Sequence, residues 1–218
     1  MIRLFEDFNK QKEIQFICEH YGIQNYTINE NLTVDINGDF IFNHIVTKLP
    51  IKLNKVSGNI YINNCGLTTL EGLPEYINDI ELTGNNITNL IGFPKHCNGN
   101  IDLSNNQLTS LEGIPKGING NLTLYKNKLT NTDYFPDVVD GYIDIIGNPI
   151  THFTKQCDCW SLFSIFNNNQ RFYKDEIMFE LSDQDLCILL RYCEDYNIFD
   201  KEGNVNRNRL ERLFKDNK

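Results

Sequence analysis

The sequence predicts an α/β solenoid with a parallel sheet, built from short repeating turns and closed at its ends by helices. The first observation is an apolar pattern that recurs every 20 or 21 residues between Ile60 and Ile150. The second is an alternating apolar pair in each repeat, followed three residues later by Asn or Cys. The third is the loss of this pattern at both ends, where helical spacing replaces it. A fixed period with a fixed apolar pattern favours stacked turns over a globule with one central core.

Five copies of the repeat share the pattern Ile/Leu-x-Ile/Leu-x-x-Asn/Cys-x-Ile/Leu, which is typical of a leucine-rich repeat. They begin at Ile60, Ile80, Ile101, Leu122 and Ile143. The apolar pair predicts a short strand whose apolar side chains point inward while the residues between them face solvent. The Asn follows where the chain leaves the strand, and we expect its amide to bond the backbone of neighbouring turns. Cys65 takes this position in the first copy.

Three turns continue into a Gly-x-Pro segment, as in Gly72-Leu73-Pro74, and a fourth has the decayed form Asp133-Tyr134-Phe135-Pro136. Glycine permits a tight bend, and proline stops a helix from growing. A turn of 20 or 21 residues also leaves no room for a long helix. We therefore expect extended or single-turn structure on the convex side and the parallel sheet on the concave face of a curved coil.

Residues 1–25 are predicted to form an amphipathic helix that caps the first apolar layer of the solenoid. Gly22 is the predicted stop signal of this helix. Its apolar stripe consists of Phe5, Phe8, Ile14, Ile17, Cys18 and Tyr21. The cap therefore leads directly into the first turns.

Residues 26–155 are assigned to the solenoid. Their first part, residues 26–58, is interpreted as degenerate turns that resemble the repeat but lack its Asn. One such turn contains Val34-Asp35-Ile36, and the next contains Phe40, which lies 20 positions before Ile60. The same interior is expected to extend through these turns.

Residues 156–218 are predicted to form a small helical subdomain that caps the solenoid or docks onto a partner. Apolar side chains crowd the segment Trp160–Phe166. Further on, Ser182–Asp185 resembles a capping box ahead of apolar residues at helical spacing, and Leu210 and Leu213 mark a last helix.

Composition predicts a protein of the reduced cytoplasm. The net charge is −9, with 29 acidic against 20 basic side chains, which argues against a nucleic-acid partner. No apolar run approaches the ~18 residues of a membrane span, and acids interrupt the segment where a signal peptide requires an apolar core. Cysteines number seven, and Cys65 and Cys97 occupy inward positions, so we expect buried thiols rather than a disulfide framework.

The solvent-facing strand positions form the predicted binding surface, which we expect to contact a protein. One column contains Tyr61, Glu81, Asp102, Thr123 and Asp144, and the next contains Asn63, Thr83, Ser104, Tyr125 and Ile146. Stacked strands bring column neighbours to about 5 Å, so Glu81 and Asp102 form a like-charge pair that a basic partner surface would relieve. Alternatively, these carboxylates repel weakly in water and keep the protein soluble. Exposed tyrosines on a rigid sheet are typical anchors for recognition.

The sequence contains no motif that predicts catalysis, a cofactor or a metal ion. Cys157 and Cys159 supply two thiolates where a tetrahedral site needs four ligands, so packing at the end of the solenoid is favoured. Secreted bacterial ubiquitin ligases also join a short repeat to a catalytic cysteine, but their catalytic domain is several times longer than residues 156–218. Asp200–Glu211 has acids at both ends of a calcium-loop pattern, yet Val205 stands where that loop needs glycine, which favours a turn before the last helix.

Several segments resemble a family of leucine-rich-repeat proteins common in tailed bacteriophages. They are Ile17–Ile28, Val34–Phe40, Leu49–Gly58 and the repeated Leu-Thr-x-Leu-Glu-Gly-x-Pro, within roughly residues 14–150. Members of that family often carry Cys in or near the strand, a feature kept here at Cys65. The resemblance implies a viral accessory protein and supplies no active site.

Two functions follow from these observations. The first is a non-enzymatic protein-protein interaction module, a phage accessory protein that binds a host or defence protein in the bacterial cytoplasm through its concave face. The alternative is a virion structural component or assembly factor that docks through Trp160–Phe166. An enzymatic interpretation would centre on Cys157 and Cys159.

Overall fold

The structure is a computed structural model, and it describes residues 2–150, 158–161, 185, 188–189, 196–198 and 206–217. Helix α1 spans Ile2–His20, and helix α2 spans Arg207–Asp216. The strands between them are β1 (Tyr26–Ile28), β2 (Val34–Ile36), β3 (Phe40–Ile41), β4 (Leu53–Val56), β5 (Ile60–Tyr61), β6 (Tyr76–Ile77), β7 (Ile80–Glu81), β8 (His96–Cys97), β9 (Ile101–Asp102), β10 (Gly117–Ile118), β11 (Leu122–Thr123), β12 (Val138–Asp144) and β13 (Asp158–Ser161).

The first ladder is a parallel stack of β3, β5, β7, β9, β11 and the end of β12. Its strands pair in register, with Ile60 beside Ile80 and Ile80 beside Ile101. Each repeat therefore supplies one strand, and consecutive turns stack end to end as a solenoid. Phe40 pairs with Ile60, which confirms the turn predicted from their spacing.

A second parallel ladder contains β6, β8, β10, the start of β12 and β13. Each of β6, β8, β10 and the start of β12 follows a Pro of its turn and buries one apolar side chain, as Ile77, Cys97 and Ile118 show. The two ladders meet in β12, which pairs through its first residues on one side and its last residues on the other. The extended structure expected after the Gly-x-Pro segments is confirmed.

The chain enters the solenoid through a three-stranded sheet of β1, β2 and β4. β1 and β2 form an antiparallel hairpin, and β2 then pairs parallel to β4, with Ile36 beside Val56. Val34–Ile36 is therefore a strand of an entry turn, as the sequence indicates. Ile36 lies four residues before Phe40, as Val56 lies four residues before Ile60, so this segment occupies the second strand position of its turn rather than the first.

Four buried asparagines join the turns, as the repeat predicts. They are Asn85, Asn106, Asn127 and Asn148. The Oδ1 of Asn85 accepts from the Cys65 amide at 3.1 Å and from the Leu67 amide at 3.0 Å. Its Nδ2 donates to the carbonyls of Ile62 and Leu82 at 2.7 and 2.8 Å. The amide thus pairs backbone groups that the strands leave unpaired inside the core.

Cys65 occupies the first position of this Asn ladder. Its thiol lies 3.1 Å from the Phe42 carbonyl, the type of contact that Nδ2 makes in later turns. The side chain is buried, as expected for an inward thiol. A weak S–H donor therefore serves where the ladder begins.

The last turns of α1 cover the N-terminal end of the apolar core. Cys18 is fully buried, and the Tyr21 ring lies 5.4 Å from the Phe42 ring. Gly22, with φ of +64°, follows the end of the helix, and the Ile23 amide donates to the Cys18 carbonyl at 2.8 Å. This left-handed glycine is the predicted stop signal.

One apolar residue of the predicted stripe, Phe8, lies away from the core. The expectation that Phe8 packs on the apolar stripe is wrong, because its side chain is 51% exposed. Its ring is instead contacted by the Lys12 ammonium, 4.6 Å from the ring centre. Among the described side chains of the predicted stripe, Ile14, Ile17, Cys18 and Tyr21 belong to the core or pack against it, and the side chain of Phe5 lies outside the described part.

At the other end, β13 pairs with β12 and extends the second ladder. Asp185, Ile188 and Leu189 are helical, within the segment where the sequence predicts a helix. Leu210 and Leu213 of α2 are buried in the apolar core, which confirms the last predicted helix. Of the described C-terminal residues, Leu189 and Ile198 also belong to this core.

Candidate recognition surface

The first ladder presents the predicted binding residues in two columns. Tyr61 pairs with Glu81, Glu81 with Asp102, and the column continues through Thr123 to Asp144. The neighbouring column is fixed by amide-to-carbonyl bonds that link successive turns at residues 63–64, 83–84, 104–105, 125–126 and 146. The predicted stacking is confirmed, and the role of the columns in binding stays a prediction.

Three of the ten predicted residues do not face solvent. Ser104, Asp144 and Ile146 are 5%, 3% and 2% exposed, so the expectation that they display their side chains is wrong. The Asp144 carboxylate turns back to its own strand, where Oδ1 accepts from the Ile146 amide at 2.9 Å. Ile146 itself joins the apolar core. The partly exposed members are Tyr61, Asn63, Glu81, Thr83, Asp102, Thr123 and Tyr125.

The adjacent carboxylates of Glu81 and Asp102 are each held within the chain. The Nδ2 of Asn63 donates to Glu81 Oε2 at 3.0 Å, and the Ser104 amide donates to Asp102 Oδ1 at 2.8 Å. Hydrogen bonds to an ionised carboxylate are among the stronger ones. The column therefore tolerates the like-charge pair without a partner, and the preference for a basic partner surface stays a prediction.

Two tyrosines on this face are held by neighbouring side chains. The Nδ2 of Asn59 donates to the Tyr61 hydroxyl at 3.1 Å. The Lys126 ammonium lies 4.7 Å from the centre of the Tyr125 ring, a cation–π contact. Rings that are already held lose little rotational freedom on binding, which is a property of good recognition anchors.

The described thiols are poorly suited to nucleophilic or metal chemistry. Burial raises the pKa of Cys18 and of Cys97 to about 11, and it also raises the pKa of Cys65. Because the thiolate is the reactive and ligating form, these groups are inert at neutral pH. Within the described residues, no group of three or more His, Cys, Asp or Glu is placed to hold a metal ion.

Two sequence motifs fall largely outside the described residues. Outside them lie the side chains of Cys157 and Cys159, and residues 200–205 of the calcium-loop stretch. The end of that stretch is described: the Asn206 side chain caps α2 and accepts from the Arg209 amide at 3.1 Å. The sequence favoured a turn before the last helix for this stretch, and the described end of the stretch caps that helix.

Comparisons of the chain with family models, with curated proteins and with solved structures found no match. In the described part of the chain, no helix has the length and apolarity needed to cross a bilayer. The function of the surface is therefore inferred from its own residues.

A further column of exposed residues, on the second ladder, was missed by the sequence analysis. Its register runs from Tyr76 beside His96 through Gly117 to Val138. The Tyr76 and His96 rings stack with centres 4.5 Å apart and planes 13° apart. In the sequence, this column corresponds to one exposed residue before each inward apolar residue of the second ladder. Such a pattern is too weak to predict a column unless the strand register is known.

A second hydrogen-bond ladder was also missed. It uses the residue directly before each first-ladder strand: Asp39, Asn59, Asp79, Asn100 and Asn121. Each side-chain oxygen accepts from the amide of the corresponding residue in the next turn, as Asn100 Oδ1 does from Asn121 at 2.9 Å. The signal in the sequence was an Asp or Asn directly before each strand, preceded by glycine in every case except Asp79. This ladder links each turn to the next at the start of the first-ladder strands.

Proposed function

We propose that this protein is a leucine-rich-repeat protein of the bacteriophage family it resembles, and that it acts without catalysis by binding a host or defence protein in the bacterial cytoplasm. The observation that carries the proposal is that the two columns of the first ladder stack in register and that their two tyrosine rings are already held by neighbouring side chains. The repeat assignment is supported by the Ile-x-Leu strands and the buried Asn ladder.

The proposed binding surface consists of the seven partly exposed residues of the two columns. Tyr61 and Tyr125 lie three strands apart, about 14 Å along the ladder, and serve as anchors. Glu81 and Asp102 lie between them and give this surface its acidic character. Such a surface suits a folded partner with a basic, shape-complementary patch.

The test is affinity capture from bacterial host lysate with the wild type and with a quadruple variant, Tyr61→Ala, Glu81→Gln, Asp102→Asn and Tyr125→Ala. This variant removes two rings and two charges while Gln and Asn keep oxygen acceptors for the local hydrogen bonds. We expect a partner that co-purifies in stoichiometric amount with the wild type and is lost from the variant.

The matched control removes the same numbers of rings and charges elsewhere, through Phe16→Ala, Glu71→Gln, Glu112→Gln and Tyr134→Ala. All four residues are exposed. Recovery of the same proteins with the quadruple variant and the wild type would exclude the proposed surface. Finding this protein in stoichiometric amount in purified virus particles would instead favour the alternative, a virion component.

A further inference from the structure

The second ladder has a column of exposed side chains with one place left empty. The column runs through Tyr76, His96, Gly117 and Val138, and all four residues are exposed. Tyr76 and His96 already form a stack of parallel rings, 4.5 Å between centres. Gly117 comes next and has no side chain, so the stack stops at the outer face of the His96 ring.

The empty place has the dimensions of a planar group. Adjacent strands lie about 4.8 Å apart, so His96 and Val138 stand about 9.6 Å apart across Gly117. Stacked aromatic rings prefer centre separations of ~4.5–7 Å, so one ring fits between the two side chains and contacts both. Apart from its two chain neighbours, no atom of the described residues lies within 4 Å of a Cβ built on Gly117, so the place is open with respect to the described part of the chain.

The charged residues beside this place indicate which chemical group of a ligand would lie next to the ring. Lys116 precedes Gly117, is exposed, and makes no side-chain hydrogen bond or ion pair with the described residues. Lys95, which precedes His96, is paired with Glu75 at 3.1 Å. Within the described part of the chain, Lys116 is therefore a cation without an ion-pair partner next to the gap. A carboxylate attached near the incoming ring would complement Lys116.

We propose that the gap over Gly117, bounded by His96 and Val138, is a binding slot for an aromatic side chain next to an acidic residue in a protein segment. The ring continues the Tyr76–His96 stack, and the neighbouring carboxylate pairs with Lys116. A nucleic acid is the weaker candidate, because phosphate chains bind through several cations and this chain carries a net charge of −9.

The test is an NMR titration of the full ¹⁵N-labelled chain with capped peptides. Acetyl-Trp-Glu-Glu amide is the probe, and acetyl-Ala-Glu-Glu amide, acetyl-Trp-Lys-Lys amide and adenosine monophosphate are the comparisons. We expect saturable shifts at the amides of His96, Gly117 and Val138 with the Trp-Glu-Glu peptide. The ring current of the bound indole should also move the Val138 methyl signals upfield.

Gly117→Val is the decisive variant, because it fills the slot from within. The φ of Gly117 is not in the left-handed region, and its added side chain meets open space, so this variant is expected to keep the fold and melting temperature of the wild type. We expect the affinity for the Trp-Glu-Glu peptide to fall about tenfold or more. Thr109→Val, which introduces the same side chain at an exposed position outside both columns and outside the slot, should bind like the wild type.

Two further variants separate the ring from the charge. His96→Ala removes the stacking face at an exposed position and should weaken binding of both Trp peptides. If the Gly117→Val protein does not fold, His96→Ala serves as the decisive variant in its place. Lys116→Glu should reverse the preference for Glu-Glu over Lys-Lys. The quadruple first-ladder variant should bind the peptide normally, so this proposal and the proposed function fail separately.

Equal shifts with the Ala peptide, or unchanged binding by a folded Gly117→Val protein, would overturn the slot. Tighter binding of adenosine monophosphate than of the Trp-Glu-Glu peptide would assign the place to a nucleobase and would also overturn the proposal. Saturable shifts that need the ring, the acid and the open glycine support it.

Discussion

At single residues, backbone conformation explains where the repeat accepts exceptions. The residue before each Asn-ladder position has a positive φ, between +52° and +73°, in every turn: Asn64, Gly84, Asn105, Lys126 and Gly147. Glycine and asparagine adopt this conformation at low cost, whereas a residue with a longer side chain is strained. A second such position holds Gly72, Gly92 and Gly113 but ends with Tyr134, at φ +62°.

Replacing Tyr134 with glycine should therefore stabilise the protein. The left-handed strain of a non-glycine residue is about 1–2 kcal/mol, and the added freedom of glycine in the unfolded chain offsets part of it, which leaves about 1 kcal/mol of gain. Urea unfolding of Tyr134→Gly measures the change. Gly113→Ala should show the opposite sign, because φ is +100° and the new Cβ would lie 3.0 Å from the Leu90 carbonyl oxygen. A loss of stability in Tyr134→Gly would contradict this account.

Burial of the thiols gives a pH-dependent prediction. The pKa values of Cys18 and Cys97 are raised to about 11, by burial first and by nearby Glu19 and Asp79 respectively. At pH 8 their thiolate fraction is about a hundredfold below that of an ordinary thiol, so alkylation by iodoacetamide should be correspondingly slow in the folded protein and fast in urea. Peptide mapping identifies which cysteines react.

The same shift affects stability with a definite sign. A raised folded-state pKa means that the folded protein holds the proton more tightly, so the contribution to stability is complete below the ordinary pKa of 9.0 and is lost as the pH rises toward 11. The melting temperature should fall across that window. Rapid native-state alkylation of Cys97 at pH 8 would show that its burial is not maintained.

At the scale of one turn, the buried asparagine is the main connection between neighbours. The Nδ2 of Asn106 lies 2.9 Å from the Leu82 carbonyl and 3.1 Å from the Leu103 carbonyl, and its Oδ1 accepts from the Ile87 amide at 3.1 Å. An apolar side chain of similar size would fill the volume and leave these backbone groups unpaired. Unpaired buried polar groups cost about 1–3 kcal/mol each.

Asn106→Leu should accordingly destabilise the protein by about 3 kcal/mol or more. Asn98→Leu is the matched control, since Asn98 is exposed and should change the free energy of unfolding by less than about 0.5 kcal/mol. Chemical denaturation of both variants makes the comparison. Equal effects at the two positions would mean that the Asn ladder does not hold the turns together.

The same scale shows what the sequence could predict. The strand positions and the Asn ladder could be predicted from the sequence because an inward residue must be apolar, or Asn, in every turn. The stacked pair of Tyr76 and His96 could not be predicted, since the residues at exposed positions vary freely from turn to turn. The burial of Ser104 and Asp144 was also hidden, because it depends on the local structure around each side chain rather than on a repeating pattern. Sequence alone therefore located the first ladder but overstated its open surface.

Over the whole molecule, stacking converts weak local signals into extended surfaces. A strand of two residues, such as Ile101–Asp102, has little stability alone, but pairing with the turns on both sides fixes its register. Both proposals depend on this register, because it aligns the first-ladder columns and places His96 and Val138 on either side of Gly117. An error of one residue in the stacking would turn outward side chains into the core.

The measurement that tests this directly is a set of nuclear Overhauser contacts between backbone protons of the labelled full chain. Parallel stacking predicts cross-strand contacts that link Ile60 to Ile80, Ile80 to Ile101 and Leu122 to Ile143. Such contacts should recur at sequence separations of 20 or 21 residues through both ladders. Contacts arranged symmetrically about a turn, as in antiparallel hairpins between these strands, would contradict the account.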